Sequence, residues 1–195
     1  GAGLDIVSGG ELYRALVARE FGQQAKAAPG APEEAFAGTL ILDIGKAMLY
    51  EAVASGQEKA LFPAENQPLE ETLLWEKAHW GVHHRDVGHF VLQRWHFPEP
   101  FLECQSFFGD DALKAERSPL CRIVELARKA TDFVFSLHPR LDPPQNAVQA
   151  HLGLDADTLN GLLSETFRKV EELSLHLRMD FPAHTEILTV MEKAN

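Results

Sequence analysis

Apolar residues recur at helical spacing along nearly the whole chain, and prolines and glycines cut that pattern into lengths a helix can fill. The clearest segment follows Ser118-Pro119, a capping oxygen and then a ring that needs no amide donor. From there Leu120, Ile123, Val124, Ala127, Ala130, Val134 and Leu137 form one stripe, broken by Pro139, Pro143 and Pro144. Leu12, Leu16, Val17 and Phe21 share a face between Glu11 and Ala27, where Pro29-Gly30 ends the segment. Pro32 opens a helix carrying Phe36, Leu40, Ile41, Ile44, Met48 and Val53. That helix is apolar on more than one side, which predicts a central place, and Ser55-Gly56 interrupts it.

Pro68 opens a further helix with Leu69, Leu73, Trp75 and Trp80, ending near Gly81, and His84 to Trp95 supplies another through Val87, Val91 and Trp95. A short aromatic segment from Phe101 to Phe108 and a turn at Gly109-Asp110-Asp111 follow. Asp155 caps the last strong helix, with Leu159, Leu162, Leu163, Phe167, Val170 and Leu173 in register, and a short helix is expected from His184 to Lys193. No stretch alternates as a strand does, so the expected class is all-α, a multi-helix bundle. Trp75, Trp80, Phe90, Trp95, Phe97, Phe101, Phe107 and Phe108 are expected as core and loop packing.

Length allows one domain with a helical extension, placed here at 1–138 for the core and 139–195 for an extension packed on it. A chain that is 45% hydrophobic and 24% charged can bury a sizeable core. No apolar run nears the ~20 residues of a membrane span, and the opening GAGLDIVSGGE has no basic, apolar leader. The net charge of −11 argues against a nucleic-acid partner; Arg122, Arg128 and Lys129 read as the solvated side of a helix. Two cysteines, Cys104 and Cys121, have no metal spacing and suit a reducing cytosol.

The chemistry-bearing stretch is GTLILDIGKAML. Asp43 and Lys46 lie three apart and share a helix side, while Gly45 lets another backbone come close. Further on, GVHHRDVGHFVLQRWHFPE puts His84 and Gly88 one turn apart. Glu76, His79 and His83 have the spacing to share one helix side and hold a divalent ion, but Gly81 falls between the histidines, which favours a polar surface run. His84 reads as a hydrogen-bonded, half-buried histidine.

FAGTLILDIGKAML followed by HHRDVGHFVLQRWHFPE resembles the HDOD family, a regulatory branch of the HD-domain phosphohydrolase superfamily, from about Leu12 to Phe135. The resemblance implies an HD-like helical core, here beginning almost at the HD-like half of the family's domain. Active members of the superfamily hold metal through an early helix His, a His-Asp doublet and a late helix Asp. Carried onto this chain, those places fall at or beside Ala15, at Leu42-Asp43 and at Arg128. The GYP signature of the cyclic-di-GMP phosphodiesterases is absent.

Asp43, Lys46 and His84 survive and, with the substituted Arg128, form a degenerate pocket with too few donors for a catalytic metal. Arg128 either pairs with Asp43 as a fixed cation in the metal's place, or points to solvent while Asp43 bonds to backbone or water. The resemblance thus implies a bacterial, cytoplasmic, non-catalytic signalling module that works through a protein partner without a cofactor. The competing reading is a divergent metal-dependent phosphohydrolase for a nucleotide or cyclic dinucleotide, with a divalent ion near Asp43 and His84.

Overall fold

The computed structural model describes residues 8–25, 31–56, 61–64, 67–132 and 142–177. Within them nine helices follow one another: α1 Gly9–Gln24, α2 Ala31–Leu40, α3 Ile44–Gly56, α4 Leu69–Trp80, α5 His84–Arg94, α6 Glu99–Ser106, α7 Pro119–Asp132, α8 Asp142–Leu152 and α9 Ala156–Leu177. The described residues contain no strand, and the class is all-α. The helix expected over 184–193 and the end of the stripe at Val134 and Leu137 lie outside the described residues.

The caps explain the boundaries. Ser8 and Glu11 satisfy each other's backbone N–H groups in a capping box at the start of α1. Gly81, at φ 79°, closes α4 in the left-handed conformation. The Ser118 hydroxyl accepts from the Cys121 N–H at 3.2 Å, and Asp155 accepts from the Thr158 N–H at 2.8 Å. Ser118→Ala is expected to lower stability by ~1 kcal/mol in urea titration, because it strips α7 of its only side-chain cap.

The helix at the centre is α7, which packs against α1, α2, α6 and α8. Leu126, Ala127, Ala130 and even Thr131 are buried on it. The expectation that one helix from Pro32 to Val53 fills that role is corrected in two ways. Residues 41–43 form a turn that divides it into α2 and α3, and Met48 is 40% exposed. The turn is imposed from outside: the Gln105 amide on α6 donates to the carbonyls of Ile41 and Leu42, at 3.3 and 3.0 Å. It also swings Leu42 into the core, where it is 2% exposed.

The aromatic expectation is corrected as well, and Pro143 and Pro144 gain a role beyond breaking the stripe. Pro143 and Pro144 fall in the first turn of α8, where a missing N–H costs nothing, so they open a helix there. Of the expected aromatic core, Phe90 and Trp95 are 65% and 53% exposed. Among the described residues, the fully buried Phe and Tyr rings are those of Tyr13, Phe21 and Phe167. Tyr13 of α1 meets Phe167 of α9 edge-on at 5.3 Å and donates its hydroxyl to the Leu163 carbonyl at 3.2 Å. Leu159, Leu163, Phe167 and Val170 of α9 thereby join the same core as α1 and α7.

α3 and α5 cross at glycine. A methyl group built on Gly45 would lie 2.0 Å from the His84 carbonyl oxygen and 2.3 Å from the Gly88 nitrogen. Only hydrogen at that position lets the two backbones meet, and this crossing brings Asp43 and His84 into one neighbourhood.

Candidate functional site

Asp43 ends the 41–43 turn, its carbonyl accepting from the Lys46 and Ala47 N–H groups at the start of α3. Its side chain, 21% exposed, accepts from Arg14 Nη1 of α1 at 3.2 Å. Arg14 uses its other terminal nitrogen on Asp132 of α7, also at 3.2 Å. Asp132 takes Arg128 Nη1 at 2.6 Å, and Arg128 makes a two-pronged contact with Glu125 at 2.9 and 2.6 Å. Glu125 in turn accepts from the Gly109 N–H at 3.0 Å. One ladder of alternating charge therefore runs from the head of α3 through α1 and along α7.

This settles the two alternatives for Arg128 against both. Arg128 is 7% exposed, so it is not on a solvated face, and its ion pairs go to Glu125, Asp132 and, at 3.9 Å, Glu70. Asp43 pairs with Arg14 instead. The reason is the central position of α7, which covers even its charged side chains and leaves them to neutralise one another one turn apart. Burial works against the Arg128 charge, but Glu125, Asp132 and Glu70 more than offset it and hold its pKa above the usual value.

His84 belongs to a second group. Glu76 of α4 is fully buried and accepts from the His84 backbone N–H at 2.7 Å and from its Nδ1 at 2.8 Å, while the Tyr50 hydroxyl of α3 donates to it at 2.9 Å. Burial pushes the Glu76 pKa up, and the His84 hydrogen bonds outweigh that and bring it below the usual value. The carboxylate engages Nδ1, and the opposite ring nitrogen, Nε2, is buried and has no hydrogen-bond partner. His84 is 2% exposed, more deeply set than the half-buried histidine expected.

Arg85 completes the neighbourhood. It is 2% exposed, donates Nη1 to the Cys104 carbonyl at 3.1 Å, and leaves its buried Nε unpartnered. Burial depresses its pKa, and Asp43 is the foremost charge acting the other way. For Asp43, burial favours the neutral acid, but the charges of Arg14, Arg85, His84 and Lys46 prevail and bring its pKa down to about 2. Lys46 itself is exposed and sits over the Tyr50 ring, 5.5 Å from its centre.

A depressed carboxylate pKa gives stability that is present above the unfolded value and lost as pH falls through the folded one. Asp43 should thus support the fold down to about pH 4 and release that support between pH 4 and about pH 2. Arg14→Met is expected to move acid unfolding, followed by far-UV circular dichroism, to higher pH. The shift should vanish when Asp43→Asn is added.

The Glu76, His79 and His83 set does not assemble. His79 hydrogen-bonds the Trp75 carbonyl at 2.8 Å and stacks on the Trp75 ring, His83 caps α5 by accepting from the Asp86 N–H, and Glu76 is spent on His84. The left-handed Gly81 ends α4 before His83 can continue its face. Among the described residues no three His, Cys, Asp or Glu side chains are grouped as a metal would require. The donors at the superfamily's ligand places do not fit a metal either. Ala15 and Leu42 are buried hydrocarbon, Arg128 is a cation, and the Asp43 carboxylate already holds a guanidinium. A cleft of 380 Å³ lined by Leu49, Ala52, Val53, Gly56, His79 and Trp80 opens elsewhere, beside the rings of Tyr50, Phe62 and Trp75.

Sequence reasoning passed over Arg14, Arg85, Asp132, Glu125 and Gln105. Arg14 alone carried a signal, since it adjoins Ala15, the place assigned to the early histidine.

The comparisons agree with this architecture. The crystal structure of the MmoQ response regulator from Methylococcus capsulatus str. Bath superposes with a TM-score of 0.53 at 20% identity, over 80% of this chain and 59% of that one. The present chain thus spans less than two thirds of that protein's length. No curated protein matches the sequence. The HDOD domain model matches residues 10–108, just over half of the chain. From the Arg14 helix to the end of α6, and through the Gly45–Gly88 crossing between them, the chain belongs to the HDOD domain family.

Proposed function

We propose that this chain is a non-catalytic signal-transduction module, an HDOD-type output or adaptor domain that acts through contacts with a protein partner. The observation that carries the reading is Leu42. It stands where the resemblance places the histidine of the metal-binding doublet, and it is packed into the hydrophobic core at 2% exposure. An imidazole returned to that position would have to enter hydrocarbon, not a metal shell. The response regulator among the similar structures supports a signalling role, and exposed Phe90 and Trp95 suit a protein that meets other proteins. The acidic balance of the chain, at net −11, supports a protein partner over a nucleic acid. A bacterial, cytoplasmic setting is part of the same proposal.

One observation favours a second reading. A histidine whose Nδ1–H is held by a carboxylate and whose Nε2 is bare has the arrangement of a metal ligand with its supporting acid. On that reading Asp43, His84 and Lys46 belong to a divergent phosphohydrolase for a nucleotide or cyclic dinucleotide. Assaying the chain against nucleotides and cyclic dinucleotides with added Mn²⁺, Fe²⁺ or Ni²⁺ separates the two. The module reading expects no turnover above that of Asp43→Ala. Metal-dependent turnover that disappears in Asp43→Ala would replace it with the phosphohydrolase.

A further inference from the structure

The pocket's own cations invite a specific account of why a metal has no place there. Arg14 covers the Asp43 carboxylate from α1, and its planar fork reaches a second carboxylate, Asp132, from the same guanidinium. Arg85 is the more unusual group. Among the described residues it is a buried guanidinium with one hydrogen bond, to a carbonyl, and no carboxylate within 4.0 Å. A buried cation so placed is costly unless an opposite charge lies close behind its first neighbours, and Asp43 is the leading one. Asp43 therefore faces two fixed positive charges in addition to the imidazole of His84.

We infer that Arg14 supplies from within the chain the positive charge that a divalent ion would bring to Asp43, and that it is the residue keeping such an ion out. This rests on the non-catalytic reading above and adds the device that enforces it. An incoming dication would have to displace Arg14 from the carboxylate oxygen it occupies. The buried His84 Nε2, which has no hydrogen-bond partner, is a donor that removal of Arg14 would leave for an ion. The guanidiniums do structural work that an ion would otherwise do: Arg14 ties the head of α3 to α7 through α1.

The test uses the full chain and its Arg14→His variant, with Mn²⁺ and Ni²⁺ as probes in equilibrium dialysis and in thermal melting with and without ion. Arg14→His removes the blocking charge and adds a donor beside Asp43 and His84. It is expected to bind ion at least roughly tenfold more tightly than the parent chain, the scale on which ligand-sphere changes act. Adding Asp43→Ala should abolish the gain. A folded Arg14→His chain that binds no better than the parent overturns the inference while leaving the module reading intact. Metal-dependent hydrolysis by the parent chain would overturn both. If Arg14→His does not fold, a double-mutant cycle of Arg14→Met and Asp43→Asn in urea decides. Asp43→Asn should destabilise the parent and stabilise Arg14→Met, whereas additive effects overturn the inference.

Discussion

Glu76→Ala is expected to lower stability by ~3–5 kcal/mol, because each buried donor left without its acceptor costs ~1–3 kcal/mol. The carboxylate is fully buried and accepts from three donors on two other helices: the His84 N–H, His84 Nδ1 and the Tyr50 hydroxyl. Truncation strands all three at once, including the first amide of α5, which has no intrahelical acceptor. Glu76→Gln should recover only part of the loss, because its amide nitrogen must face one of those donors. Urea unfolding followed by circular dichroism measures both. A loss below ~1 kcal/mol for the alanine variant, the worth of one ordinary hydrogen bond, would mean that Glu76 does not organise the site as described.

The second large effect is Gly45→Ala. The added methyl would stand 2.0 Å from the His84 carbonyl oxygen, 2.3 Å from the Gly88 nitrogen and 2.8 Å from the Gly88 Cα. All three are backbone atoms and cannot rotate aside, so α3 and α5 must separate. Overpacking of this kind costs ~3 kcal/mol or more. For a chain of this size that is a fall of roughly 6–12 °C in melting temperature. Gly56→Ala is the control: it sits at the end of the same helix with nothing within 4 Å and should melt close to the parent. Separation of the helices also moves His84 away from Asp43, so the Gly45 variant should show weaker coupling between Asp43→Asn and His84→Ala.

What could be read from the sequence was local. The caps at Ser118 and Asp155 and the glycine stop at Gly81 each depend on residues a few positions apart, and periodicity resolves them. The break at 41–43 depends on Gln105, more than sixty residues away, and LILDIGK by itself reads as continuous helix. Glu76 and His84 lie eight apart across a helix stop, a spacing that matches neither a helix face nor a short motif. Its spacing of three to His79 and seven to His83 drew attention to partners it does not have. Arg128 was legible as the odd residue at a ligand position, and its true partners were not. Whether a charge on α7 meets solvent depends on α1, α2, α6 and α8 all closing around it. The fixed cation beside Asp43 proved to be Arg14, one place before the residue the family pattern singles out.

We propose that Asp43 is committed to an internal cation and that the pocket holds no catalytic metal. Elemental analysis of the chain purified without chelator tests it most directly, with Asp43→Ala prepared in parallel. No stoichiometric Mn, Fe or Ni is expected in either protein. A transition metal bound at stoichiometric level in the parent and lost in Asp43→Ala would contradict it.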